Sequence, residues 1–213
     1  MRRGYSAVAA WAGGSRPVSL CYGAPMIALA AFVLAAPARA DHVPEAPEAE
    51  VTAARAAVKT LGERLKAELG AALKAGGPSA AVGVCRTVAP AIAEDASRMH
   101  DVEVGRTALK VRNPDNVPDA FERKVLEDFV QQIAEGADPA TLEHAEVIVE
   151  NGEKRFRYMK AIPTAAEPCL ACHGTDIGPA LKAEILELYP DDQATGFVAG
   201  ELRGAFTVTR TMR

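Results

Sequence analysis

Apolar side chains at Val58, Leu61, Leu65, Leu69 and Leu73 recur every three or four residues, the spacing that lines one side of an α-helix. The stripe predicts an amphipathic helix of about six turns, stopped by Gly76-Gly77. Pro78 can open a second helix without loss, because first-turn N–H groups have no intrahelical acceptor anyway. That helix carries Ala81, Cys85, Val88 and Ile92 on its apolar side, and Pro90 is expected to kink it. Residues 102–111 read as one strand or two, closed by the turn-rich Asn113-Pro-Asp-Asn116. A third helix follows Pro118, with Phe121, Val125, Leu126, Phe129, Val130 and Ile133 on one side and Gly136 at its end. Residues 145–150 and 154–162 flank Asn151-Gly152, the strongest short hairpin signal there is. A short helix over 181–189 and a last strand over 203–209 complete the pattern, with no internal repeat. Helices preceding a mainly antiparallel sheet give an α+β domain.

The first forty residues do not join this pattern. Arg2, Arg3 and Arg16 precede any acidic residue, the apolar run Met26-Ile-Ala-Leu-Ala-Ala-Phe-Val-Leu-Ala-Ala36 follows, and Ala38-Arg39-Ala40 has the form of a cleavage site. A basic start, a run of about 11 apolar residues and an A-x-A site describe a secretory signal peptide. An uncleaved anchor is the alternative, but the run is short of the roughly 20 residues a spanning helix needs. The expected organisation is a signal peptide over 1–40, an acidic tether over 41–50 (DHVPEAPEAE) and one domain over 51–213. No membrane span is expected after cleavage, and the periplasm is the expected compartment.

Composition is that of a globular protein, with 49% hydrophobic and 24% charged residues. The formal charge of −4 becomes −8 when Arg2, Arg3, Arg16 and Arg39 leave with the signal peptide. That argues against binding nucleic acid through a basic face. The only tryptophan, Trp11, leaves too. The core must then be built from Phe121, Phe129, Phe156, Tyr158, Tyr189, Phe197 and Phe206, a thin supply that a large flat cofactor would supplement.

One motif carries chemistry. Cys169-Leu-Ala-Cys172-His173 is C-x-x-C-H, the attachment pattern for c-type haem. Two thiols three positions apart can each add to one haem vinyl group from the same side of the ring, and the adjacent histidine then lies beneath the iron as proximal ligand. A zinc site would need a second ligand pair with matching spacing, and none is present. A redox dithiol would sit in a βαβ pattern, which is also missing. One motif means one covalent haem c.

The iron's other face has several candidates: Cys85, Met99, Met159, His42, His100 and His144. His42 falls in the acidic tether, and His100 and His144 read as surface residues. Met159 reads as core filler. Cys85 is the odd cysteine once Cys169 and Cys172 are consumed, and an unpaired exported thiol has to be buried or bound. A small buried hydrophobe and a metal ligand both satisfy that condition.

Longer stretches carry a resemblance. Val82-Gly-Val-Cys85-Arg86, Gly105-Arg-Thr-Ala-Leu-Lys-Val-Arg-Asn-Pro114, Pro168-Cys-Leu-Ala-Cys-His-Gly174, Tyr189-Pro-Asp-Asp-Gln-Ala-Thr-Gly196 and Gly200-Glu-Leu-Arg-Gly204 together resemble the c-type haem domains of unknown function of the DUF3365 type. The resemblance covers most of the mature chain. It implies an α+β, PAS-like antiparallel sheet preceded by a long N-terminal helix, with one covalently bound haem. It also implies iron ligation by the motif histidine and an early-helix cysteine, here His173 and Cys85. Arg106, Lys110 and Arg112 then become candidate partners of the haem propionates. Asp191, Thr195, Gly196 and Gly204 read as shaping a turn and a close backbone approach.

Three classes of function follow. A PAS-like haem domain can sense redox state or a diatomic gas, passing its signal to a separate transducing protein, since no kinase, cyclase or methyl-accepting region is present. It can instead be a low-potential periplasmic electron carrier with its own redox partner. An enzyme such as a peroxidase is disfavoured, because two strong protein ligands leave no open position and no distal acid–base pair is visible. The expectation is a sensor module, with electron transfer as the alternative and no enzymatic activity.

Overall fold

The computed structural model describes residues 46–212. The segment read as a signal peptide, and His42 with it, lie outside the described residues. Helix α1 runs Glu48–Thr87 and α2 Ala89–His100. Strand β1 is Glu103–Thr107, followed by a 3-10 turn at Pro114–Asn116 and helix α3, Ala120–Ala134. The hairpin strands are β2, Glu143–Glu150, and β3, Glu153–Pro163. Short helices α4, Cys169–His173, and α5, Pro179–Leu188, precede the last strand β4, Leu202–Thr211. The four strands form one sheet in the order β1-β4-β3-β2, every neighbouring pair antiparallel.

Helix α1 is two helices in one span. Gly76 and Gly77 leave helical geometry, Gly77 at φ 69°, and Pro78 starts the second half. The expected stop and restart are both there. The start differs: α1 begins at Glu48, inside the segment read as a tether, and Glu50 is held by Arg210 at 3.2 Å. Near Pro90 the helix is divided at Val88, which keeps helical dihedrals (φ −96°, ψ −37°), and Pro90 falls in the first turn of α2, where its missing N–H costs nothing.

Both faces of the sheet are covered, which explains β3. On one face α1 and α2 pack Val58, Leu61 and Ile92 against Phe156, Tyr158 and Val208. On the other, α3 lays Val125, Leu126 and Phe129 over Met159, Ala161 and Ala205. Four consecutive residues, Phe156–Met159, are therefore buried, and alternation fails where a strand lies between two layers. Asn151 and Gly152 turn the hairpin at φ 53° and 84°, a left-handed pair matching the strand twist.

Polar groups fasten the layers. Asp119 and Glu122 form a capping box at the start of α3. Arg157, only 3% exposed, ties that cap to β2 through Asp119 Oδ2 at 2.6 Å and Glu150 Oε1 at 3.2 Å. On the opposite face the Tyr158 hydroxyl donates to Glu143 Oε2 at 2.7 Å, and Arg55 of α1 donates to the same carboxylate.

Candidate functional site

Between α1, the end of β1 and the residues after it, α4 and the start of β4 lies a cavity of about 260 Å³. Both halves of the kinked α1 wall it, Leu65, Leu69 and Leu73 before the kink, Val82 and Cys85 after it. The leucine stripe is amphipathic because it faces this cavity as well as the sheet.

The C-x-x-C-H segment forms α4, and Cys169, Cys172 and His173 all line the cavity. Gly174 ends the helix. A Cβ there would stand 2.6 Å from the Leu170 carbonyl oxygen, so no other residue fits without displacing the turn. The segment is pinned from outside: Phe197 N donates to His173 O and Gly196 N to Gly174 O, both at 3.0 Å. The Phe197 ring meets the His173 ring edge-on, with centroids 6.3 Å apart.

His173 Nδ1 lies 2.7 Å from the Ala194 carbonyl oxygen. A carbonyl only accepts, so Nδ1 carries the proton and Nε2 keeps its lone pair. Burial, aided by the charges of Arg203 and Arg112, pushes the ring pKa down to about 3. The imidazole is thus neutral at physiological pH, as a metal ligand must be. Burial also pushes the Cys172 thiol up, opposed by Arg112.

Cys85 lines the same cavity. The other candidates for an iron ligand do not, among the described residues. Met159 is fully buried beneath α3, in the cluster on the opposite sheet face. His144 packs against Phe121 and Glu146, His100 bonds to Thr60, and Met99 is exposed. Among the described residues no group of three or more histidine, cysteine or acidic side chains could hold a metal ion alone.

The three basic candidates separate. Arg106 lines the cavity and has no ion-pair partner among the described residues; burial lowers its pKa, and Cys85 and Tyr189 stand near enough to oppose that. Lys110 is not a lining residue. Its ammonium donates to Thr195 O at 3.4 Å and lies 4.8 Å from the centre of the Phe197 ring. Arg112 lines the cavity but is engaged in a two-pronged pair with Asp192, with Nε to Oδ1 at 3.1 Å and Nη2 to Oδ2 at 3.0 Å. Lys110 and Arg112 thus have protein partners in place of the anionic group expected for them.

Sequence reasoning missed Arg203, Tyr189 and Asp192. Arg203 lines the cavity, and burial together with Arg112 and Arg106 pushes its pKa down to about 10. It escaped notice because it sits at a register shift: Ile162 pairs with Gly204 and Pro163 with Leu202, leaving Arg203 as the extra residue of a bulge that re-aims it. The Tyr189 hydroxyl is buried, lines the cavity and has no hydrogen-bond partner. Asp191 was singled out in the turn, yet it is exposed, and its neighbour Asp192 is the buried one. Gly204 does make the close approach expected of it, since a Cβ there would stand 2.5 Å from Thr107 O.

The cavity therefore has apolar walls and an orphaned hydroxyl, and among the described residues it has two guanidinium groups without an ion-pair partner, Arg106 and Arg203, and no acidic lining residue; Arg203 Nη1 donates to Lys110 O at 3.4 Å. The cavity suits a large apolar body with negatively charged edges. The fold and this lining define a mixed α+β protein with a largely apolar, arginine-edged cavity beside two cysteines and a neutral histidine. Residues 36–210 match the Tll0287-like family model, and the chain belongs to that family. It resembles the crystal structure of the cyanobacterial heme-protein Tll0287, with a TM-score of 0.57 and 25% identity over 79% of this chain and 98% of that one. No curated protein matches significantly.

Proposed function

We propose that the protein is an exported monohaem c-type cytochrome of PAS-like fold that senses redox state or a diatomic gas. The observation that carries this reading is the convergence of Cys85 and the C-x-x-C-H helix on one cavity that contains no acidic side chain. Kinship with a cyanobacterial heme-protein supports it.

The residues present fit the group. Cys169 and Cys172 would hold it through two thioethers, and the Nε2 lone pair of His173 is the one free to bind iron. Among the described residues Arg106 and Arg203 have no ion-pair partner and the Tyr189 hydroxyl has no hydrogen-bond partner, and these donors suit propionate oxygens. The haem supplies an iron that accepts one electron or a diatomic ligand. Cys85 is the proposed second protein ligand. A thiolate favours ferric over ferrous iron, since its negative charge is better matched by the more highly charged metal. Reduction would weaken its hold, coupling redox state to the second half of α1. The N-terminal segment would be removed on export, and a separate protein would receive the signal.

A redox titration of the purified holoprotein, repeated under carbon monoxide, tests the sensor reading. A potential raised by the gas is expected, because binding to the reduced state pulls the equilibrium toward it. An unchanged potential favours low-potential electron transfer, the second reading, which the same thiolate ligation supports.

A further inference from the structure

We infer that Arg112 and Asp192 act as a pair of positioning residues that set how strongly His173 donates electrons to its metal. This rests on the haem reading above. It concerns residues outside the ligand set, acting through the backbone of one residue.

That residue is Ala194. Its carbonyl oxygen accepts from His173 Nδ1 at 2.7 Å and from Arg112 Nη2 at 3.3 Å. Its N–H donates to Asp192 Oδ1 at 2.9 Å. Arg112 Nη2 also donates to Cys172 O at 2.6 Å, so its two N–H groups serve three acceptors, and the longest contact is a shared one. The Arg112 and Asp192 side chains are 9% and 2% exposed, so water screens neither charge well. Ala194 itself is fully buried. The three residues thus link the α4 backbone, the loop after α5 and the histidine ring in one closed set of bonds.

The chemistry gives each charge its own sign. The more electron-rich the Ala194 oxygen, the more strongly it holds the Nδ1 proton, and the better a donor Nε2 becomes. A better donor favours ferric iron and lowers the reduction potential. Arg112 draws density away from that oxygen and places a positive charge nearby, so it raises the potential. Asp192 neutralises Arg112 and places a buried negative charge beside the same carbonyl, so it lowers the potential. A merely structural pair would behave otherwise, since losing either member would loosen the same loop and move the potential in one direction.

The test is the reduction potential of holoprotein carrying Arg112→Gln, Asp192→Asn or both. Arg112→Gln is expected to lower the potential, Asp192→Asn to raise it, and the double variant to lie between the two. Shifts in the same direction, or none, overturn the inference. Breaking a buried pair leaves a charge uncompensated; each single variant has its own expected sign, so one that accumulates decides. If neither does, Arg112→Lys takes their place. It keeps the charge, but one ammonium cannot serve Asp192, Cys172 and Ala194 together. Its potential is expected to fall, and an unchanged value refutes the proposal. Haem content is measured first on the unaltered protein. Absence of covalent haem there defeats the haem reading, whereas haem present with unsplit potentials defeats only this inference.

Discussion

Replacing Cys169 and Cys172 together by alanine asks how much of the domain's stability depends on filling its cavity. The space is about 260 Å³ and its walls are mostly apolar. Unfilled cavity costs about 24 cal/mol per Å³, which sets a ceiling of about 6 kcal/mol for the empty form. Inward movement of the two halves of α1 about Gly76-Gly77 recovers part of that, so a loss of about 2 to 6 kcal/mol is expected. This is a large share of the about 5–15 kcal/mol that holds an ordinary domain together. With a urea dependence of about 2 kcal/mol per M, the midpoint should fall by about 1 to 3 M. The assay is equilibrium urea unfolding of the haem-loaded protein and of the double variant prepared free of haem, followed by far-UV circular dichroism. Coincident midpoints would refute both the cavity arithmetic and the idea that a thin aromatic core is completed by a cofactor.

Cys85→Ala should raise the reduction potential and remove thiolate features from the ferric electron paramagnetic resonance spectrum; an unaltered spectrum would place the ligand elsewhere. Leu61→Ala, at a fully buried position between α1 and the sheet, should cost about 2–5 kcal/mol, and a loss under about 1 kcal/mol in chemical unfolding would contradict the packing described. Tyr158→Phe removes the 2.7 Å hydrogen bond to Glu143 and should cost about 1.5–3 kcal/mol, read as a lower Tm. The Arg55 guanidinium holds the Glu143 carboxyl below its ordinary range, so its contribution is complete above the unfolded value of about 4.3 and disappears as pH falls through the lower folded value. Stability of Glu143→Gln should accordingly trail that of the parent at neutral pH and converge with it in acid; a gap that persists in acid refutes the linkage.

Much of the fold was legible because local chemistry and tertiary packing agree. Gly76-Gly77-Pro78 breaks the helix as its backbone preferences require, Asn151-Gly152 turns the hairpin, and α3 follows Pro118 as the apolar spacing there requires. That Cys169, Cys172 and His173 act from one short segment was legible from their spacing, whereas Cys85 was singled out by the resemblance. The cationic corner of the cavity was not legible. Alternation along β4 assigns Arg203 to the wrong side, because a bulge is a feature of the pairing and leaves no mark in one strand's pattern. Arg112 looked like a free cation because nothing near it in sequence announces Asp192, which lies 80 residues away. Tyr189 read as core, and its unpaired hydroxyl emerges only when every buried donor is matched to an acceptor.

The kink in α1 also divides the chain into stretches that tolerate changes in length differently. Each residue added to or taken from a continuous helix rotates everything beyond it by about 100°. A deletion between Pro78 and Cys85 would therefore swing the thiol off the cavity wall, and one between Val58 and Leu73 would turn the leucine stripe away from it. At Gly76-Gly77 the backbone is already out of helical geometry, so rotational phase is reset there and a one-residue change need not propagate. Across descendants of a common ancestor, insertions and deletions in this helix should therefore collect at the glycine pair. The distance in sequence from that pair to the cysteine should stay fixed.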